Sequence, residues 1–186
     1  MAAAKPTILV FGDSLSAGYG IAVERSWPSL LNRQVAEAGL DYSVDNASVS
    51  GETTAGGRSR LPAALDRFKP SVVVLALGAN DGLRGLSLAQ MRDNLAAMID
   101  AARARHARVL LVGMKLPPNY GADYSRDFEQ SFALVATRAK VPLLPFLLAP
   151  IATDARSFQA DGIHPTAAAQ FRILDHVWPA LKPLLK

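Results

Sequence analysis

Ser14, Asp161 and His164 are the residue types that nucleophilic catalysis at a serine requires. A serine hydroxyl is a weak nucleophile at neutral pH, and it needs a neighbouring base, usually a histidine that a carboxylate orients. Asp161 precedes His164 by three residues, a spacing that would let the carboxylate bond one ring nitrogen while the other nitrogen faces outward. The same spacing also allows a simpler role, in which the two residues only cap the helix that follows.

Ser14 lies just beyond a run of apolar or β-branched residues, 7–11, that stops at Gly12. Such a run is typical of a buried parallel strand, and in open α/β sheets ligands bind at the carboxyl ends of the strands. Asp13 and Ser14 are also residue types that favour turns through local hydrogen bonds. On this stretch alone, a catalytic role and a capping role for Ser14 both stay open.

The chain has two other histidines, and we predict a structural role for each. His106 lies beside Arg105 at the end of a long predicted helix, where an imidazole favours the negative end of the helix dipole. His176 follows Asp175 on the last predicted helix and is expected to face solvent. His164 is therefore the candidate for a catalytic base.

Gly51 and Asn80 are candidates to bind the negative charge of a tetrahedral intermediate. Such a site commonly combines backbone N–H groups from glycine-rich loops with a side-chain amide. Taken singly, either residue is more often a turn former. Their placement on loops at the same sheet edge as Ser14 favours the catalytic role.

Strand and helix patterns alternate along the whole sequence. The apolar runs predict strands at 7–11, 42–48, 71–78, 109–114 and 141–145, and helical periodicity predicts helices at 27–38, 61–68, 128–139, from the capping residue Ser87, and from Thr166 onward. This order implies right-handed crossovers and a parallel sheet. We expect a single α/β domain over residues 1–186, a three-layer α/β/α sandwich whose five-stranded sheet has the flavodoxin-like order 2-1-3-4-5. That order places the first and third strands side by side and brings Ser14 to Asn80.

Composition excludes several classes of function. The net charge is +4 and the basic residues are scattered singly, which does not favour a nucleic-acid partner. Cysteine is absent, so disulfides and thiolate chemistry are excluded. Residues 1–6 are too short and too polar for a signal peptide, and no apolar run is long enough for stable membrane insertion.

Four sequence blocks occur in the order and on the loops that mark one enzyme family. They are Gly12-Asp13-Ser14-Leu15, Gly51, Gly78-Ala79-Asn80-Asp81 and Asp161-Gly162-Ile163-His164-Pro165. In these blocks the chain resembles the SGNH (GDSL) hydrolase family. Within that family it is most similar to the bacterial multifunctional enzymes with thioesterase I, protease I and lysophospholipase activity, and to related arylesterases. The stretches 80–85 and 116–121 add to this resemblance, which covers nearly the whole chain.

The resemblance implies the SGNH hydrolase fold and a role for each matched residue. Ser14 would be the nucleophile, His164 the general base and Asp161 its orienting acid, with an oxyanion hole made by the Ser14 and Gly51 N–H groups and the Asn80 amide. The implied activity is hydrolysis of short to medium acyl esters and thioesters, as an arylesterase, thioesterase or lysophospholipase, through an acyl-enzyme. We expect a small-molecule substrate, no cofactor, no metal and a monomer, and the resemblance favours the periplasm if a signal peptide has been removed.

The G-x-S-x-G motif of lipases is missing. Ser16 stands where the second glycine of this elbow would lie, so a lipase-type elbow is not expected.

Two other functions remain open. A carbohydrate O-deacetylase would keep the chemistry, but aromatic residues for sugar stacking are only 7% of the chain. A non-catalytic flavodoxin-like module would bind phosphate at the first loop, where the Asp13 carboxylate would repel it.

The segment 114–124 follows the fourth strand at the proposed catalytic edge. Leu116, Pro117 and Tyr120 offer apolar surface there, and Gly121 would let the loop move as a lid. We therefore predict that these residues bind the acyl chain. The alternative is that the prolines only stiffen a crossover.

Overall fold

The computed structural model describes residues 5–185 and contains five strands and seven α-helices there. The strands are β1 (Thr7–Gly12), β2 (Ser43–Asn46), β3 (Val72–Ala76), β4 (Arg108–Val112) and β5 (Leu143–Leu144). The helices are α1 (Ser14–Ala17), α2 (Trp27–Glu37), α3 (Thr54–Phe68), α4 (Ala79–Leu83), α5 (Leu88–Ala104), α6 (Ala122–Ala139) and α7 (Gln170–Leu181). Residues 1–4, which carry most of the segment judged too polar for a signal peptide, lie outside the described residues.

The strands form a parallel sheet in the order β2-β1-β3-β4-β5, which confirms the predicted topology. In the register of β1 against β3, Gly12 lies opposite Ala76. The two central strands therefore end at the same level, and the loops that carry Ser14 and Asn80 leave the sheet side by side.

Helices cover both faces of the sheet, which explains the uninterrupted apolar run in β1. Ile8 and Val10 pack with side chains of α2 and α7, whereas Leu9 and Phe11 pack with side chains of α3, α5 and α6. All four side chains are fully buried. The sheet is consequently the middle layer of an α/β/α sandwich, and its ends are the places where polar loops meet.

The second long helix is longer than predicted. We expected it at 61–68, a range that would place Pro62 in the first turn, but α3 begins at Thr54 and contains Pro62 in its interior. Gly56, Gly57 and Pro62 lower helix propensity, which is why periodicity alone missed the first turns. The Thr53 hydroxyl oxygen accepts a hydrogen bond from the Gly56 N–H and caps the helix.

Smaller differences occur at the ends of other elements. The turns after β1 and β3 are the short helices α1 and α4 rather than loops, and α6 begins six residues before the predicted residue 128. Helix α7 contains Pro179 in its last turn and ends two residues later, at Leu181. Within residues 5–185, no helix is both long and apolar enough to cross a membrane.

Candidate active site

Ser14, His164 and Asp161 form a hydrogen-bonded chain at the carboxyl edge of the sheet. The His164 Nε2 atom lies 2.8 Å from the Ser14 Oγ atom, although the two residues are 150 positions apart. The His164 Nδ1 atom lies 2.6 Å from the Asp161 Oδ2 atom. With its proton on Nδ1, the imidazole donates to Asp161 and leaves Nε2 free to accept the Ser14 hydroxyl proton.

A tight turn lets Asp161 reach a ring only three residues away. The Asp161 Oδ1 atom accepts hydrogen bonds from the backbone N–H groups of Ile163, at 2.9 Å, and His164, at 3.0 Å. The His164 N–H is the largest cause that lowers the pKa of Asp161, to about 2, followed by the His164 side chain. Asp161 therefore remains a carboxylate at any working pH.

Asp161 and His164 do not cap the last helix, which was the simpler alternative. Helix α7 has Ala169 at its cap position, and Thr166 precedes the short 3₁₀ turn before it, with no side-chain cap at either place. The local hydrogen bonds of Asp161 instead shape the turn that holds His164.

Asp13 does have the capping role that its residue type suggested. Its Oδ1 atom accepts a hydrogen bond from the Leu15 N–H at 3.0 Å, and this bond caps α1. Because the carboxyl is buried, its pKa is raised to about 6, although the Leu15 N–H and the nearby His164 oppose that rise. The cap fixes the first turn of α1, and Ser14 is the first residue of that turn.

The loop after β2 holds this turn in place from the side. The Gly12 N–H donates to the Ser48 hydroxyl oxygen at 3.0 Å, and the Asn46 side-chain amide donates to the Ser16 carbonyl at 2.8 Å. The Val49 N–H also donates to the Gly12 carbonyl at 3.0 Å. These bonds hold α1, and therefore Ser14, against the loop that leads to Gly51.

The Asn80 side chain is fixed by one strong hydrogen bond. Its Nδ2 atom donates to the Glu52 carbonyl at 2.9 Å. The Asp13 Oδ2 atom lies 3.4 Å from the same nitrogen, beyond the usual length for such a bond. The second amide hydrogen is therefore available to a better-placed acceptor near Ser14.

Two backbone donors lie on the adjacent loops. Within residues 5–185, the N–H groups of Ser14 and Gly51 donate to no other group. Gly51 has a φ of 79°, a conformation that disfavours any residue with a side chain. The Arg84 guanidinium donates to the Gly51 carbonyl at 3.0 Å and connects this loop to the end of α4.

Asp81 and Thr54 connect the two loops that carry Asn80 and Glu52. The buried Asp81 carboxylate accepts from the Thr54 N–H at 2.8 Å and from the Thr54 hydroxyl at 2.5 Å. Asp81 belongs to one of the four family blocks, but no role was predicted for it from the sequence. The signal was a carboxylate directly beside Asn80 at the end of the most apolar strand.

The predicted acyl-binding segment lies beside α4. A side chain at Gly82 would collide with Leu116, which is half-buried, so Leu116 packs two residues from Asn80. The Tyr120 hydroxyl donates to the Leu83 carbonyl at 3.1 Å. Pro117 is exposed. The segment is therefore docked against α4 next to the proposed site.

The remaining histidines lie in other parts of the fold. His106 occupies an exposed turn after α5, with a φ of 61°. His176 does not face solvent as expected, because it is half-buried and its Nε2 atom lies 3.0 Å from the Phe146 carbonyl. Residues 5–185 contain no group of three or more histidine, aspartate or glutamate side chains placed to hold a metal ion.

Comparisons with known proteins give similarities that extend over nearly the whole chain. The model of the GDSL-like lipase/acylhydrolase family matches residues 10–170. Esterase TesA of Pseudomonas aeruginosa is 51% identical over 183 residues, which are 98% of this chain and 91% of that protein. The thioesterase 1/protease 1/lysophospholipase L1 of Escherichia coli is 41% identical over 184 residues, 99% of this chain and 87% of that protein.

A solved structure of another esterase has nearly the same fold as this chain. The crystal structure of the psychrotrophic esterase EstA from Pseudoalteromonas sp., inhibited by monoethylphosphonate, superposes with a TM-score of 0.92 at 38% identity. The match covers 96% of this chain and 98% of that one.

Proposed function

This chain belongs to the GDSL-like lipase/acylhydrolase family, and we propose that it is a serine hydrolase that cleaves short to medium acyl esters and thioesters. Ser14 is the nucleophile, His164 the general base and Asp161 the residue that orients it. The observation that carries the proposal is the chain of hydrogen bonds from Ser14 through His164 to Asp161, at 2.8 Å and 2.6 Å.

The reaction proceeds through an acyl-enzyme. His164 Nε2 takes the Ser14 proton as Oγ attacks the acyl carbon, and the Asp161 carboxylate stabilises the imidazolium that forms. The proton then passes to the departing alcohol or thiol, and the bond from the acyl carbon to that group breaks. Water repeats the sequence on the acyl-enzyme and releases the acid.

The oxyanion hole combines the N–H groups of Ser14 and Gly51 with the Asn80 amide. Support comes from their position on neighbouring loops, from the two free N–H groups, and from the Glu52 carbonyl that orients Asn80. Donors fixed in advance stabilise charge that appears only in the transition state, so they lower the barrier without strengthening substrate binding.

The position of the proposed site in the fold also bears on the substrate and the oligomeric state. The residues of the proposed site lie at one edge of one sheet, so we infer one catalytic domain that acts on a small-molecule substrate, and we propose that it works as a monomer. The scattered basic residues give no support to a nucleic-acid partner.

Turnover of a nitrophenyl ester tests the proposal. Ser14→Ala should lower kcat by roughly a thousandfold or more while the fold is kept, as in other serine triads. Ser59→Ala, a change at an exposed serine of α3, is the matched control and should keep full activity. Near-wild-type turnover by Ser14→Ala would overturn the proposal.

A further inference from the structure

Tyr19 places an exposed aromatic ring directly against His164. The centroids of the two rings are 4.4 Å apart and the rings are tilted by 36°. Tyr19 nevertheless keeps 52% of its surface exposed. The ring thus contacts the imidazole, while about half of the surface of Tyr19 stays exposed beside it.

A single glutamine fixes Tyr19 relative to the His164 turn. The Gln159 side-chain amide donates to the Tyr19 carbonyl at 2.8 Å and to the Pro165 carbonyl at 3.0 Å. The Gln159 N–H also donates to the His164 carbonyl at 2.8 Å. The loop that carries Tyr19 and the turn that carries His164 are therefore held as one unit.

The residue after Tyr19 permits this close approach. Gly20 has a φ of 74°, and a Cβ atom there would lie 2.2 Å from the Gln159 Oε1 atom. No residue with a side chain could occupy the position without moving Gln159. The backbone that carries the exposed ring is consequently held in a fixed place beside the His164 turn.

The chemistry fixes which part of a substrate meets this ring. In acylation the bond from Ser14 Oγ to the acyl carbon forms and the bond from that carbon to the alcohol oxygen breaks. The proton taken from Ser14 passes from His164 Nε2 to that oxygen. Because Nε2 belongs to the ring that Tyr19 contacts, the departing oxygen and its first substituents must lie near Tyr19.

We propose that Tyr19 is the binding surface for the alcohol portion of the ester, and that it selects alcohols with a flat aromatic ring close to the ester oxygen. The inference rests on the proposed function, and it concerns the opposite side of the ester from the acyl chain. Aromatic rings pack on one another with a gain beyond the apolar area that they bury. A ring that already packs against His164 on a restrained backbone gives this gain with less further ordering than a ring on a mobile loop.

Three butanoate esters separate the aromatic effect from size and reactivity. Ethyl, benzyl and cyclohexylmethyl butanoate share the acyl group, and their alcohols are similarly poor leaving groups. We expect kcat/KM, which reports acylation, to be highest for the benzyl ester. Tyr19→Ala should lower the ratio of benzyl to ethyl kcat/KM by roughly fivefold, and Tyr19→Phe should keep it.

Tyr19→Leu keeps an apolar side chain and should reduce the benzyl ester to the level of the cyclohexylmethyl ester. Phe171→Ala is the matched control, because Phe171 is exposed on α7, a helix that carries none of the site residues. Thermal unfolding of each variant checks the fold.

Two results would overturn the inference. One is a wild-type enzyme that hydrolyses the benzyl and cyclohexylmethyl esters equally well. The other is an equal loss for all three esters in Tyr19→Ala, which would make Tyr19 only a support for His164. Failure of the proposed function would look different, because ethyl butanoate would then not be cleaved at all.

Discussion

The Asp161 carboxylate bonds the His164 ring and the His164 backbone at the same time. Its Oδ2 atom lies 2.6 Å from Nδ1, while its Oδ1 atom accepts the N–H groups of Ile163 and His164. The carboxylate thus builds the turn that presents the ring and also fixes the proton on Nδ1. A separation of three residues is sufficient for this contact, because the tight turn brings the backbone of Ile163 and His164 next to the Asp161 carboxylate.

Asp161→Asn tests this double role. An asparagine oxygen can still accept the backbone N–H groups, but the amide nitrogen then faces Nδ1–H and favours the wrong ring tautomer. We expect kcat to fall by roughly a hundredfold or more with the melting temperature nearly kept. Kinetics and thermal unfolding measured together check it, and an unchanged kcat would remove Asp161 from the mechanism.

Asn80→Ala removes the proposed side-chain donor of the oxyanion hole. We expect kcat to fall by about a hundredfold to a thousandfold with little change in KM, because the charge develops only in the transition state. Steady-state kinetics on one nitrophenyl ester separates the two parameters. A raised KM with kcat kept would identify Asn80 as a substrate contact instead.

Asp13→Asn should change how stability depends on pH. Burial raises the pKa of Asp13 from 3.8 to about 6, so the folded state holds this proton more tightly than the unfolded state does. Its contribution to stability is therefore present below pH 4 and is lost as the pH rises through about 6. For a pKa shift of this size, the free energy of unfolding falls by up to about 3 kcal/mol.

Asparagine also caps helices well, so the variant keeps the hydrogen bond to Leu15 and lacks only the titration. Urea unfolding at pH 4 and pH 7 should show a smaller fall in the free energy of unfolding for Asp13→Asn than for the wild type. Equal falls in the two proteins would show that Asp13 has an ordinary pKa.

Leu116→Ala tests the segment proposed to bind the acyl chain. Each methylene buried in an apolar groove contributes about 0.8 kcal/mol, so kcat/KM should rise several-fold per carbon. We expect the rise to continue from the acetyl ester to roughly the hexanoyl to octanoyl range, and the variant should flatten it without affecting the acetyl ester. A flat wild-type profile, or the same slope in both proteins, would exclude this loop from acyl binding.

The sheet was predictable because its signals are local. The apolar runs of β1 and β3 have no polar alternation, and strands that alternate with helices constrain the topology to a few orders. The order 2-1-3-4-5 alone predicts that Ser14 and Asn80 lie at the same edge of the sheet. The His164 turn was predictable for the same reason, since its carboxylate and imidazole are neighbours in sequence.

The features that sequence analysis missed depend on distant contacts. Helix α3 starts at Thr54 because Thr53 caps it and Asp81 binds Thr54, and these contacts outweigh the low propensity of its glycines. The hydrogen bond from the Gln159 side-chain amide to the Tyr19 carbonyl joins residues 140 positions apart. No periodicity or spacing records such a contact.

The central claim is that the Ser14 hydroxyl is a nucleophile activated by His164. A phosphonate ester that reacts with activated serines tests it directly, with the site of modification located by mass spectrometry of peptides. We predict one phosphonyl group per chain, attached to Ser14, with loss of esterase activity in proportion to labelling and no labelling of Ser14→Ala. An unlabelled but fully active enzyme, or a phosphonyl group on another residue, would contradict the account.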